Sequence, residues 1–103
     1  MKLYIDDTRA VPFGFILVTS VDEAIDKCKL YEFNQISLDF NLGFTKKNGL
    51  DFIVEFFSQG FYVPHLNFHS DDSIGVSKMI SEINRKIIEG EINKEIKITR
   101  ISY

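Results

Sequence analysis

Acidic and polar residues follow three short apolar segments of this chain. Asp6 and Asp7 come after the first segment, Asp39 and Asn41 after the second, and the run His69-Ser70-Asp71-Asp72 after the third. If these segments are parallel strands of one sheet, their carboxyl ends lie at one edge, where open α/β sheets bind ligands. The carboxylates of Asp6, Asp7 and Asp39 would then converge on one small volume.

Three converging carboxylates need a positive group, because like charges repel and burial increases that repulsion. A hard divalent cation fits, since Mg²⁺ (or Mn²⁺) takes oxygen ligands and retains several waters. The guanidinium of Arg9, which closely follows the acidic pair, is the alternative. A purely structural interpretation also stands, because aspartate commonly ends strands and caps helices.

The third polar run contains residues that could act on an anion. Ser70 places a hydroxyl just before a predicted helix, and the free N–H groups of a helix N-terminus favour phosphate. Asp71 and Asp72 oppose this, because they can cap the helix themselves and repel an anion. His69 alone is typical of a hydrogen-bonded structural residue, although it is the imidazole nearest the acidic groups for proton transfer.

The elements that would position these residues follow from hydrophobic periodicity. Strands are predicted at residues 3–5, 15–18, 36–40, 63–68 and 95–103, and residues 8–14 are predicted to be a loop. The first helix is predicted to run from the cap Ser20 to residues 33–34, with Glu23 completing a capping box. A second helix follows the cap Asn48, and a third spans residues 72–89.

The order β-β-α-β-α-β-α-β predicts an α/β fold with a five-stranded parallel sheet, because strands separated by helices form right-handed crossovers. We expect the strand order 2-1-3-4-5, with at most two helices on one face of the sheet and one on the other. The sequence shows no linker and no internal repeat, so residues 1–103 are expected to form a single domain.

The second helix has an unusually wide apolar surface. Its predicted core face consists of Leu50, Ile53, Val54 and Phe57, and two further phenylalanines, Phe52 and Phe56, widen it. Core packing is the first interpretation of that width, and a homodimer contact is the second. The core residues predicted for the third helix are Val76, Met79, Ile80, Ile83 and Ile87. The single cysteine, Cys28, lies on the apolar face of the first helix and is predicted to be buried.

Composition excludes several classes of protein. The net charge of −3 argues against general nucleic-acid binding, which needs a basic surface. No apolar run approaches the length of a membrane span, and the N-terminus lacks the apolar core of a signal peptide, so the cytoplasm is the expected compartment. The hydrophobic share of 45% is enough for a real core, which argues against disorder.

The layout resembles that of response-regulator receiver domains, which have a flavodoxin-like three-layer sandwich. Receivers place an acidic pair after strand one, an acceptor aspartate after strand three and a hydroxyl after strand four; Asp6-Asp7, Asp39 and Ser70 match these places. The resemblance implies that the main-chain carbonyl of Asn41 is a further metal ligand. The usual first helix is missing, and neither Lys97 nor Arg100 matches the receiver lysine of strand five in register.

A divergent branch, the cyclic-phosphate-processing receivers, is similar over nearly the whole chain. Its motifs correspond to Asp6-Asp7-Thr8-Arg9, to the run Ser37-Leu38-Asp39-Phe40-Asn41-Leu42-Gly43, and to His69-Ser70 followed by Ile74, Gly75 and Met79. The resemblance implies catalytic roles for Asp39, His69 and Arg9, and phosphate contacts from Arg9, Ser70 and Gly75. Three departures stand out: Phe40 replaces a histidine, Asn41 an aspartate, and Val76 a common arginine.

Two functions of different kinds are therefore predicted. The first is a metal-dependent phosphoesterase that binds or hydrolyses a (cyclic) phosphate ester, on a small phosphorylated ligand or an RNA end. The alternative is a catalytically inactive receiver-like module that acts through a protein interface. Phosphoacceptance on Asp39 is the weakest of the hypotheses.

Overall fold

The computed structural model describes all residues from 1 to 103 and contains five strands and three helices. In chain order these are β1 (Lys2–Ile5), β2 (Phe15–Val18), α1 (Val21–Leu30), β3 (Gln35–Leu38), α2 (Gly49–Ser58), β4 (His65–Phe68), α3 (Ser73–Ile88) and β5 (Lys97–Thr99). All strand pairs are parallel, and the order is β2-β1-β3-β4-β5. The predicted receiver-like α/β fold and strand order are confirmed.

Each helix begins at a side-chain cap. Ser20 Oγ accepts the N–H of Glu23 at 3.2 Å, while the Glu23 carboxylate accepts the N–H of Thr19 at 2.8 Å. Asn48 and Asp51 form a reciprocal capping box at α2. Asp72 caps α3 by accepting the N–H of Gly75 at 2.8 Å, so the carboxylate at this helix start is that of Asp72 and not that of Asp71.

Several elements are shorter than predicted. The first helix ends at Leu30, because the chain turns extended at Tyr31 and so lets Phe33 reach the core. β3 ends at Leu38, which leaves Asp39 and Phe40 beyond the strand, and β5 covers only three residues of the predicted 95–103. Residues 100–103 lack strand structure but lie against the sheet, where Ile101 is hydrogen-bonded to Asn67 and Tyr103 to Gln35.

All three helices pack on one face of the sheet, so the expected three-layer arrangement is wrong. The crossovers β2-α1-β3, β3-α2-β4 and β4-α3-β5 all move across the sheet in the same direction. Right-handed crossovers that move in one direction place their helices on one side. Accordingly, a single apolar cluster joins residues of all three helices to one row of sheet residues, which includes Leu3, Ile36 and Leu66.

The opposite face of the sheet carries polar side chains. Tyr4, Ser37, Asn67 and Thr99 occupy one row across the strands. The C-terminal residues cover part of this face: Tyr103 Oη accepts a hydrogen bond from Gln35 Nε2 at 2.6 Å, and the rings of Tyr103 and Phe15 are 5.4 Å apart. A short stretch of chain thus covers part of the face that lacks a helix layer.

The wide apolar surface of α2 belongs to the core, as the first interpretation held. Phe52 and Phe56 are buried, whereas Val54 is 42% exposed, so its predicted core position is wrong. Ile87 of α3 was also placed in the core and is exposed. Cys28 is buried as predicted, and burial raises the pKa of its thiol to about 12. None of the helices is long and apolar enough to cross a membrane.

Candidate functional site

Asp6, Asp39 and His69 meet at the carboxyl edge of the sheet. Ile5 is in register with Leu38, and Leu38 with Phe68, so the residues that follow these three lie side by side. One ligand atom from each of Asp6, Asp39 and His69 lies within 4.8 Å of the others. The convergence of Asp6 and Asp39 predicted from the sequence is therefore present.

Asp6 is buried, and both of its carboxylate oxygens have a hydrogen-bond partner. Its Oδ1 accepts the main-chain N–H groups of Thr8 at 2.9 Å and Arg9 at 3.1 Å, while Oδ2 is 2.9 Å from Nε2 of His69. Burial opposes ionisation, but the N–H bonds from Thr8 and Arg9 and the contact with His69 outweigh it and lower the pKa of Asp6. Asp6 is consequently a carboxylate at neutral pH.

His69 faces into the protein and not into the cleft. Its side chain has no exposed surface, and its ring stacks on that of Tyr4 with centroids 4.2 Å apart. Nδ1 is 2.7 Å from the hydroxyl of Ser37, so both ring nitrogens have partners. Burial lowers the pKa of His69 in spite of the opposing effect of Asp6, which makes the ring neutral at pH 7.

Asp39 is partly buried next to Asp6. Its Oδ1 accepts the N–H of Phe40 at 2.8 Å. Burial raises the pKa of Asp39, a hydrogen bond from Ser70 opposes the rise, and the charge of Asp6 adds to it. Ser70 is buried, and its Oγ accepts the N–H of Asp72 at 3.1 Å, at the start of α3.

A shallow cleft of about 540 Å³ opens beside the acidic pair. Ten residues line it: Asp7, Thr8, Asp39, Asn41, Leu42, Gly43, Phe44, Thr45, Lys46 and Asn48. Asp7 is exposed and, together with Asn41, faces the same space as Asp39. Lys46 is the one cationic residue of this lining, and it was not among the site residues predicted from the sequence. Its position in the loop after the acidic end of β3 is the sequence feature that could have identified it as a candidate.

Arg9 connects two parts of the site. One terminal nitrogen donates to the main-chain carbonyl of His69 at 2.6 Å, the other to Asp71 Oδ2 at 2.8 Å, and Nε lies 3.7 Å from Asp6 Oδ2. The guanidinium thereby ties the loop after β4 to the end of β1. It places positive charge next to Asp6, a role for which Arg9 was one of two candidates in the sequence.

Gly75 provides space for an aromatic ring. The side chain of Phe40 packs so closely on Gly75 that any side chain at this position would overlap the ring. The N–H of Gly75 already donates to Asp72. The structure thus places Gly75 at the start of α3 beneath Phe40, with its own N–H occupied and away from the cleft lining.

A second guanidinium lies at the end of β5. Arg100 follows the last residue of β5, and its Nη2 donates to the carbonyl of Ser70 at 3.0 Å and approaches Ser73 Oγ at 3.3 Å. Lys97, at the start of β5, is at the far end of the strand. The cation nearest the acidic edge on this strand is therefore an arginine that binds main-chain oxygen.

Comparison with known proteins identifies a family. The family described as the cyclic-phosphate processing receiver domain matches residues 1–85. No curated protein and no solved structure gives a significant match. The matched range contains every predicted site residue and ends before β5. Because the match covers well over half of the 103 residues, the chain belongs to the cyclic-phosphate processing receiver domain family.

Proposed function

We propose that this domain binds a divalent cation, Mg²⁺ or Mn²⁺, and through it the phosphoryl group of a small cyclic phosphate ester. The observation that carries the proposal is the meeting of Asp6 and Asp39 at the carboxyl edge of the sheet, beside a cleft that Asp7 also lines. The description of the family as cyclic-phosphate processing agrees with the proposed phosphate ligand.

The donors fit a hard cation. Carboxylates of Asp6, Asp7 and Asp39 and the main-chain carbonyl of Asn41 are all oxygen ligands, which Mg²⁺ and Mn²⁺ prefer. The Oδ2 of Asp6 has one close partner, His69, and a carboxylate oxygen can accept a second contact. A bound cation would polarise a phosphoryl oxygen and so make the phosphorus more electrophilic.

Lys46 is the side chain best placed to receive the phosphate. It lines the cleft with Asp7 and Asp39, and it has no ion-pair partner within 4.0 Å. The donors of Arg9, in contrast, are occupied by His69 and Asp71. A small phosphorylated ligand would therefore meet Lys46 on the open side and the acidic residues at the sheet edge.

Binding without turnover is the second candidate function, and one observation favours it. Hydrolysis needs a group that moves a proton, yet both nitrogens of His69 are engaged inside the protein, and Phe40 replaces the family's other histidine. Asp39, whose pKa is raised by burial, is an acid–base group that remains at the cleft.

The test of metal binding is the melting midpoint of the full chain with millimolar Mg²⁺ or Mn²⁺. Linkage predicts a gain of about 1.4 kcal/mol at ten times Kd, which corresponds to roughly 5 to 11 degrees for a domain of this size. Asp39→Asn should abolish the shift, and Asp26→Asn, which removes an exposed charge on α1, should retain it. An unmoved wild-type midpoint would refute the metal site and would favour the alternative hypothesis, a catalytically inactive module that acts through a protein interface.

Turnover is tested separately with a ribonucleoside 2′,3′-cyclic monophosphate and Mn²⁺ or Mg²⁺, followed by ³¹P NMR. Conversion of the cyclic phosphate signal to that of a monoester, lost in Asp39→Asn, would establish hydrolysis. A line broadened by protein-bound Mn²⁺ without conversion would establish binding alone.

A further inference from the structure

The sheet face without helices contains a chain of buried polar side chains. Ser37 and Asn67 are fully buried and stand opposite each other on β3 and β4. Burying such groups costs free energy unless each is hydrogen-bonded, and no buried side-chain nitrogen or oxygen in the protein lacks a partner. These residues lie beneath the acidic edge and outside the cleft, so ligand contact does not explain them.

The main chain of Ile101 fixes the orientation of the Asn67 amide. The Ile101 N–H can only donate, so the Asn67 atom that lies 3.0 Å from it must be Oδ1. The Ile101 carbonyl can only accept, so the Asn67 atom that lies 2.9 Å from it must be Nδ2. The Thr99 hydroxyl donates to the same Oδ1 at 2.7 Å. Nδ2 then directs its other hydrogen to Ser37 Oγ at 3.0 Å.

Ser37 transmits this direction to His69. Its oxygen accepts from Asn67, and its single hydrogen is left for Nδ1 of His69 at 2.7 Å. Nδ1 is therefore an acceptor, and the proton of the neutral ring lies on Nε2. Nε2 faces the Oδ2 of Asp6 at 2.9 Å, and a carboxylate can only accept. The two ends of the network thus require the same tautomer.

We infer that Ser37 and Asn67 are positioning residues, which fix the proton of His69 on Nε2 and thereby hold Asp6 in place at the acidic edge. His69 then serves Asp6 as a donor and does not exchange protons with a substrate. The expected loss of cation affinity on removal of these residues rests on the proposed function. The tautomer of His69 is independent of that proposal. Partners that orient metal ligands typically change affinity about 10- to 100-fold when removed.

The chain has only two histidines, so nitrogen NMR of the imidazoles gives a clean test. In the ¹⁵N-labelled full chain, with His65→Gln used for assignment, His69 should show a protonated Nε2, an unprotonated Nδ1 and a slowly exchanging Nε2–H. Ser37→Ala should speed exchange of that proton and weaken Mn²⁺ binding about 10-fold, measured by electron paramagnetic resonance.

Thr99→Val is the matched control. It also removes one hydroxyl of the network, but Asn67 keeps its orientation because the Ile101 N–H still donates to Oδ1. Its His69 signals and Mn²⁺ affinity should match the wild type. A wild-type His69 with its proton on Nδ1, or a Ser37→Ala variant with unchanged proton exchange, would overturn the inference. If wild type binds no Mn²⁺, the proposed cation site fails, and the NMR result still decides the role of Ser37.

Discussion

The ring of Phe40 rests directly on the Cα of Gly75, where no other residue would leave it room. Phe40 follows the acidic end of β3, and Gly75 lies in the first turn of α3. This contact therefore joins the two segments that border the candidate site. It also explains, by packing, a glycine that the family resemblance assigns to phosphate.

Gly75→Ala should destabilise the fold by roughly 1–3 kcal/mol, because an overpacked contact forces neighbouring groups to shift. Alanine is the better helix former, so a stabilisation would be expected if space were available. Urea unfolding measures the difference. In the Phe40→Ala background, where the ring is absent, Gly75→Ala should cost much less stability than it does in the wild type. An equal cost in both backgrounds would show that the ring is not the cause.

Lys46→Ala should weaken binding of a cyclic phosphate ester about 10-fold while leaving the Mg²⁺-induced melting shift in place, since an ion pair with phosphate contributes on the order of 1–2 kcal/mol. Lys47→Ala is the neighbouring control, because Lys47 pairs with Asp22 at 2.8 Å and Glu55 at 3.6 Å, away from the cleft lining. Calorimetric titration of both variants measures the affinity. Equal losses in the two would assign the effect to general charge.

Asp39→Asn should raise the melting midpoint of the metal-free protein at pH 7. Burial raises the pKa of Asp39, so its ionised form costs stability once the pH exceeds the unfolded value of 3.8. The advantage of the variant should shrink as the pH falls toward that value, where the wild-type carboxyl takes up its proton. A variant less stable than wild type at pH 7 would contradict this assignment.

Phosphoacceptance on Asp39 should be weak or absent. Receivers stabilise an aspartyl phosphate with a lysine from the fifth strand, and here the cation at that strand end, Arg100, is bound to the carbonyl of Ser70. Acetyl phosphate with Mg²⁺, followed by intact mass, measures the product. A stoichiometric gain of one phosphoryl group would prove this expectation wrong.

The sequence by itself determined the strand order, the parallel sheet and the meeting of Asp6 with Asp39. Apolar runs of strand length alternate with capped helices, and the crossover rule then leaves few topologies. The same rule, applied to three crossovers in one direction, also places all the helices on one face. The expectation of helices on both faces of the sheet was therefore wrong.

Tertiary structure decided which way the polar residues of the site face. Ser37 and Asn67 alternate with apolar residues, a pattern that equally fits a solvent-exposed sheet face. They are buried because residues 99–103 return across that face, more than thirty residues along the chain from Asn67. The inward position of His69, the engagement of Arg9 and the cleft position of Lys46 likewise depend on contacts between distant segments, which local periodicity does not encode.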